Sequence, residues 1–466
     1  MIAIDGRPGD YRSLWTGFRW QLPSAYNIAW ECCGRWAGER SRFALYYEEE
    51  NGFARAWTFW DLQREANRLS NALAALGTIR NDRVAIILPQ RPETGISHLA
   101  CYQMGAIALP LSPLLDPEAL AQRLTDAGAT VAIVDQDSLD HLWQLRDKLP
   151  HLRHVVAVGQ GKETARETGV HRWQRLLEYA SSRYLPAATD ADDPALIIYT
   201  SGDPGDPKGA LLAHRTLVGN LPGFVCAHDF YPKPGDLFWS PGDWAESGGL
   251  FDALLPTWSL GQPILAYNGR FDPERAYWLI EKYGVRNAFL SPTALKMMVQ
   301  ASEHPRHRYD LDLRSIASGG EAVDATVRHW AREELGVTIN EVFGHAEINY
   351  VAGGCGAVFP PKPGAMGRPY PGHRVALKDA AGQDVAAGEV GEICVQRSCQ
   401  GEADPVFMLG YWNNPQATRA RYFGEGLEAW GRTGDLARQD EDGYLWYHGR
   451  VAHRVRGDRD QGGRHD

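Results

Sequence analysis

In Tyr199-Thr200-Ser201-Gly202-Asp203-Pro204-Gly205-Asp206-Pro207-Lys208-Gly209 an apolar strand, 195–199, runs into a loop of three glycines, two hydroxyls and one lysine. Such a loop presents backbone N–H groups as a concave nest that suits an anion. It is not the P-loop of nucleoside triphosphatases, because Pro207 stands where that motif needs Gly and Gly209 where it needs Ser or Thr. A plain Gly/Pro turn is the competing reading, and the surrounding sequence chooses between them.

Upstream, strands alternate with helices. Thr58 followed by Asp61 has the spacing of a helix N-cap and its acid. Leu62, Ala66, Leu69, Leu73 and Leu76 then recur every three or four residues, and Gly77 closes the helix. The apolar runs 84–88, 106–109 and 131–134 read as buried strands, and 118–127, ending at Gly128, as another helix. This alternation predicts a parallel α/β sheet. Downstream, 271–283 reads as a helix and 288–290 as a strand. Beyond Pro360 the chain is rich in Gly and Pro, and short runs such as 374–378 and 392–397 predict small antiparallel strands of a barrel-like subdomain. The segment 451–466 holds three apolar residues and cannot build a core.

Composition narrows the classes. With 44% hydrophobic and 23% charged residues among 466, the chain is globular rather than disordered, collagen-like or coiled-coil. The net charge of −10 leaves no dominant basic footprint for nucleic acid. The cysteines, at 32, 33, 101, 226, 355, 394 and 399, are odd in number and lack metal-ligand spacing, which fits buried thiols in a reducing compartment. The longest uncharged stretch, 94–115, contains Ser97, His98, Gln103, Pro110 and Pro113, so it reads as helix, turn and strand rather than a membrane span. Asp5, Arg7 and Asp10 interrupt any leader pattern, and a cytoplasmic protein is expected.

The loop resembles the phosphate loop of the adenylate-forming (AMP-binding) acyl-CoA synthetase superfamily, which usually reads TSG[TS]TGxPKG. Further matches follow in that family's order. Ser318-Gly319-Gly320-Glu321-Ala322 resembles the loop bordering adenine and ribose, and Asn340-Glu341-Val342-Phe343-Gly344-His345-Ala346-Glu347 resembles the NExYGxTE segment. Gly410-Tyr411-Trp412-Asn413-Asn414-Pro415 is a further family-like run. Thr433-Gly434-Asp435 and Gly449-Arg450 resemble the ribose-binding elements. The texture is closest to the acetate- to medium-chain acyl-CoA synthetases.

The resemblance implies an α/β fold, the large N-terminal domain of these enzymes, over 1–450. Its parts are two α/β subdomains with parallel-rich sheets, about 1–195 and 196–360, and a small β-barrel-like subdomain, 361–450, with the nucleotide where they meet. It also implies a reaction: a carboxylate attacks the α-phosphate of ATP to give an acyl-adenylate and pyrophosphate, and the thiol of CoA then displaces AMP. Such chemistry asks for charge stabilisation and positioning more than for a protein nucleophile. By resemblance Thr200, Ser201, Gly202, Gly205, Lys208 and Gly209 cradle the β- and γ-phosphates. Gly319, Gly320 and Glu321 border the adenosine, Phe343 packs on the adenine face, and Gly344, His345 and Ala346 continue the nucleotide wall. Glu347 binds Mg²⁺, Asp435 accepts from both ribose hydroxyls, and Arg450 donates to the ribose. Thr200, Lys208 and Glu347 are the expected catalytic residues. Trp244, with Gly344, borders the acyl group and shortens its pocket. Core packing competes with these roles for Phe343 and Trp244, and a surface ion pair for Arg450.

Three departures from the family pattern bear on activity. Asp203-Pro204 replaces a pair of hydroxyl residues: a carboxylate ~4 Å from a phosphate charge, at an effective dielectric near 20, costs about 4 kcal/mol, and Pro204 has no N–H to donate. Ala346 stands where the family has Thr, so a hydrogen bond to phosphate of roughly 1.5–3 kcal/mol is lost. Past Arg450 the resemblance stops. The small C-terminal domain of relatives, with its hinge and its lysine for the reacting groups, has no counterpart in 451–466, which reads as an unstructured tail left by truncation or frameshift. The sequence therefore predicts an ATP-dependent acyl-CoA synthetase by descent, with ATP, CoA and a carboxylic acid as small-molecule partners and with impaired turnover. A non-catalytic nucleotide- or acyl-adenylate-binding remnant and an enzyme loading a carrier-protein thiol are the alternatives.

Overall fold

The computed structural model describes residues 10–159, 169–200 and 207–451. Two large sheets and a smaller third organise them. The first has eight strands, in the order Gly410–Tyr411, Lys208–Ala213, Pro194–Thr200, Ile107–Pro110, Arg83–Ile87, Val131–Val134, His154–Ala157 and Val170–Arg172. From Pro194–Thr200 outward to Val170–Arg172 all neighbours are parallel, while Lys208–Ala213 and Gly410–Tyr411 add an antiparallel edge. The second has nine strands. Its parallel centre runs from Ile339–His345 through Ser315–Gly319, Asn287–Phe289, Phe238–Trp239 and Ile264–Asn268 to Phe43–Glu49.

The apolar runs become strands because both faces are covered. In Arg83–Ile87 the side chains alternate: Val84 and Ile86 enter a core shared with the second sheet, while Ala85 and Ile87 face an outer core built on the helices Pro117–Ala127 and Gln136–Gln144. The shared core also takes Leu62, Ala66, Leu69 and Leu73 of the helix Phe59–Ala75, and Ala44, Leu45, Ile264 and Ala266 of the second sheet. The outer face of the second sheet is closed by Pro273–Tyr283 and Pro292–Ala301. The layers therefore run helix, sheet, helix, sheet, helix.

Local signals behave as read. Thr58 and Asp61 form a reciprocal capping box, and Gly77 and Gly128, both at positive φ, follow the ends of their helices. The uncharged stretch 94–115 is the buried helix Pro92–Met104 followed by the strand Ile107–Pro110, and no helix among the described residues is long and apolar enough to cross a membrane. All seven cysteines are buried and free.

One expectation is corrected. The C-terminal region is an open antiparallel sheet, not a closed barrel: Val375–Lys378, Gly391–Gln396, Trp430–Gln439 and Tyr422–Phe423 in order, with Leu445–Arg450 also on Trp430–Gln439. The ten-residue strand serves two partners in turn along its length, so the sheet forks instead of closing. The sheets also cross the boundaries drawn at 195 and 360. Phe43–Glu49 and Ala54–Thr58 join the second sheet, Lys208–Ala213 and Gly410–Tyr411 the first.

Candidate functional site

A cavity of about 560 Å³ opens at the carboxyl ends of two adjacent parallel strands, Ser315–Gly319 and Ile339–His345, the usual ligand position on such sheets. Gly319, Gly320, Gly344 and His345 form this side, and Gly242, Glu246 and Asp252 belong to another wall. Glycine is required at 344: a Cβ there would lie 1.7 Å from the carbonyl oxygen of Asn349, across the hairpin to Asn349–Gly353. Val342 and Gly344 point into the cavity while Phe343, between them, turns the other way into a core with Ile348, Val351, Val395 and Phe407.

His345 carries the cavity wall to the third sheet. Its Nε2 lies 2.7 Å from Asp435 Oδ2. Asp435 and Arg450 are cross-strand partners, and Arg450 Nε donates to Asp435 Oδ1 at 3.2 Å. Burial pushes the Asp435 carboxyl up, but His345 and Arg450 outweigh it and hold the group below the usual carboxylate range. Asp435 and Arg450 thus come together as the motifs implied. The link from His345 was not foreseen, because nothing in the spacing of 345 and 435 announces it.

Glu347, one turn of chain beyond, is nearly buried, and its Oε1 accepts from the Tyr411 hydroxyl at 2.6 Å and from Arg421 Nη2 at 2.5 Å. Arg421 Nε in turn donates to the Tyr411 oxygen at 2.7 Å. Burial alone would raise the Glu347 carboxyl; Arg421, His345 and Tyr411 reverse this and lower it. Lys208 Nζ sits 5.6 Å from the centre of the Tyr411 ring, so the lysine of the glycine loop and Glu347 flank one side chain. Tyr411 lay in a run marked as family-like but given no role, and Arg421 had no signal at all.

The remaining sequence candidates are placed as follows. Thr200 faces Lys208 in antiparallel register at the mouth of the glycine loop, and Lys208 and Gly209 line a second cavity of about 280 Å³ with Trp412 and Asn413. Ser201, Gly202 and Gly205, like Asp203 and Pro204, lie outside the described residues. Glu321 is exposed and Ala346 packs against the shared core. Trp244 is fully buried, edge-on to Trp258 at 6.5 Å, and does not line the cavity. Gly242 and Gly249 form the wall there, and a Cβ at Gly249 would strike the Asp243 carbonyl oxygen at 2.1 Å.

Sequence reading missed Asp252 and Tyr350, both cavity residues and both nearly buried. Burial pushes the Asp252 carboxyl well above its ordinary value. The Tyr350 hydroxyl partly counters this, although the two complete no hydrogen bond of acceptable geometry. Among the described residues no group of three His, Cys, Asp or Glu side chains is placed to hold a metal ion.

A model of the AMP-binding enzyme family matches residues 35–412. Over 435 residues the chain is 31% identical to acetyl-coenzyme A synthetase of Bacillus subtilis (strain 168), covering 91% of this chain and 72% of that protein. It superposes on an acyl-CoA synthetase of Brucella canis with a TM-score of 0.84 at 27% identity, covering 93% of this chain and 76% of that one. On the anthranilate CoA ligase AuaEII, in complex with anthranoyl-AMP, the TM-score is 0.82 at 26% identity, with 92% and 79% covered.

Proposed function

The chain belongs to the AMP-binding enzyme family, and on that premise we propose that it is an acyl-CoA synthetase, joining a carboxylic acid to CoA through an acyl-adenylate. One observation carries this reading. The glycine-walled cavity at the strand ends runs through a single residue, His345, to Asp435, a buried carboxylate paired with the half-buried Arg450. A neutral adenine edge fits glycine walls, and a carboxylate with a cationic neighbour fits a ribose diol. The relatives named acetyl-CoA synthetase and acyl-CoA synthetase are acid–thiol ligases, which supports the same reading.

In this reading Thr200, Lys208 and the glycine loop hold the phosphates of ATP, with Lys208 offsetting charge on the departing pyrophosphate. The substrate carboxylate enters from the side of Gly242 and Asp252, attacks the α-phosphorus, and breaks its bond to the bridging oxygen. CoA thiolate then attacks the acyl carbon and AMP leaves. No side chain forms a covalent intermediate; the protein positions and neutralises. Glu347 fits Mg²⁺ as a single ionised carboxylate whose bonds from Tyr411 and Arg421 both fall on Oε1. Magnesium is commonly held by one carboxylate plus substrate phosphates, and it would supply charge neutralisation at those phosphates.

A second reading, nucleotide or acyl-adenylate binding with little turnover, is favoured by Ala346, which has no hydroxyl to offer a phosphate. One assay separates the two: the chain is incubated with Mg-ATP, CoA and acetate, butyrate, octanoate or benzoate, and AMP and acyl-CoA are measured by mass spectrometry. Acid-dependent AMP and acyl-CoA support the synthetase. Nucleotide binding without either product supports the second reading, and absence of nucleotide binding overturns both.

A further inference from the structure

The acyl side of the cavity is built for a polar substituent. Among the described residues its lining holds two carboxyl side chains, Glu246 and Asp252, and no Lys or Arg, and the one histidine, His345, is engaged by Asp435. Asp252 is 7% exposed, flanked by Phe251 and Leu254 of the shared core, and its Oδ1 has no hydrogen-bond partner among the described residues. The hydroxyl of Tyr350, on the same cavity, lies beside this carboxyl and partly offsets its burial, yet it completes no hydrogen bond with it or with any other described residue. A buried acid left without a donor destabilises a fold, whereas an apolar residue of similar size would be neutral or better. A plain alkyl chain would bury these groups further without satisfying either.

Resting on the acyl-adenylate reading, we propose that the carboxylic acid taken by this cavity carries a hydrogen-bond-donating substituent, an amine or a hydroxyl, which is received by Asp252 beside Tyr350. An ammonium suits the site best, since it gives Asp252 a charge partner in a cavity whose other carboxyl, Glu246, favours a cation as well. A hydroxyl can donate to Asp252 and accept from Tyr350.

The test uses non-reacting sulfamoyl-adenosine mimics of acyl-adenylates in matched pairs, with and without an ω-amino or ω-hydroxyl group on short alkanoyl chains, and benzoyl against aminobenzoyl. Binding to the full chain is measured by calorimetry. The best substituted mimic should bind about tenfold or more tightly than its plain counterpart, the worth of one hydrogen bond to a charged group. Asp252→Leu should abolish that preference, leave plain mimics bound at least as tightly, and not lower the thermal midpoint. Asp252→Asn should weaken the amine and keep the hydroxyl. Plain mimics binding best, or a preference that survives Asp252→Leu, overturns the inference while the adenylate site stands. Failure of every mimic to bind overturns the adenylate site and the inference with it.

Discussion

Arg421→Ala should uncover how much the buried Glu347 carboxylate depends on one cation. Glu347 is 7% exposed, and its Oε1 is met by Arg421 Nη2 at 2.5 Å and the Tyr411 hydroxyl at 2.6 Å. Removing the guanidinium strands a buried charge, a loss of about 3–5 kcal/mol. Tyr411→Phe keeps the ion pair and removes one bond to a charged group, roughly 1.5–3 kcal/mol. The pH dependence fixes the cause. In the native chain burial is outweighed by Arg421, His345 and Tyr411, and the Glu347 carboxyl lies below its ordinary 4.5. Its ionised form therefore supports the fold above that value, and the support fades as pH falls through the depressed folded value. Without Arg421 the largest influence holding the carboxyl down is lost, and the folded value moves up from its depressed position. The deficit of the variant is therefore full at neutral pH and shrinks as pH falls through its folded value toward the depressed value of the native chain. Urea denaturation of the native chain, Arg421→Ala, Glu347→Gln and the double variant closes a cycle in which Glu347→Gln should suppress most of the arginine effect. A deficit below about 1 kcal/mol, the range of an exposed pair, would refute the reasoning. So would a deficit that is flat with pH, or one that Glu347→Gln leaves unchanged.

Other outcomes are expected from single positions. Gly344→Ala should destabilise by about 3 kcal/mol, because its Cβ would meet the Asn349 carbonyl oxygen and backbone cannot swing aside; thermal denaturation measures it. Thr58→Ala breaks the capping box of Phe59–Ala75 and should cost about 1 kcal/mol in the same experiment, with nucleotide affinity unchanged. Ala346→Thr should tighten ATP binding by about tenfold if a hydroxyl there reaches a phosphate, and calorimetry reads it directly; unchanged affinity would show that it does not.

The parts of the fold legible in the sequence are those governed by near neighbours. Thr58 and Asp61, the 3–4 spacing that follows, Gly77, Gly128 and the short apolar runs all act within a few residues, and each forms the expected element. What was not legible is long-range. That Phe43–Glu49, beyond its antiparallel pairing with Ala54–Thr58, takes Ile264–Asn268 as its other neighbour is settled by packing of the shared core. A barrel and a forked open sheet use the same short Gly- and Pro-bounded strands, so residues 361–450 could not tell them apart. The site divides the same way. Contiguous motifs marked Gly319, Gly344, His345, Glu347 and Asp435, whereas Arg421 and Asp252 matter only through residues 74 and 98 positions away. Trp244 shows the limit of local reading, since its segment does line the cavity while its own indole turns into the core.

The central claim is that one cavity, closed by the His345–Asp435–Arg450 link, receives an adenylate. Calorimetric titration of the chain with a sulfamoyl-adenosine mimic, compared with the same titration of Asp435→Ala, tests it most directly. Saturable binding at one site per chain, weakened about tenfold or more by Asp435→Ala, is the expected result. No saturable binding, or equal affinity in the two proteins, would contradict it.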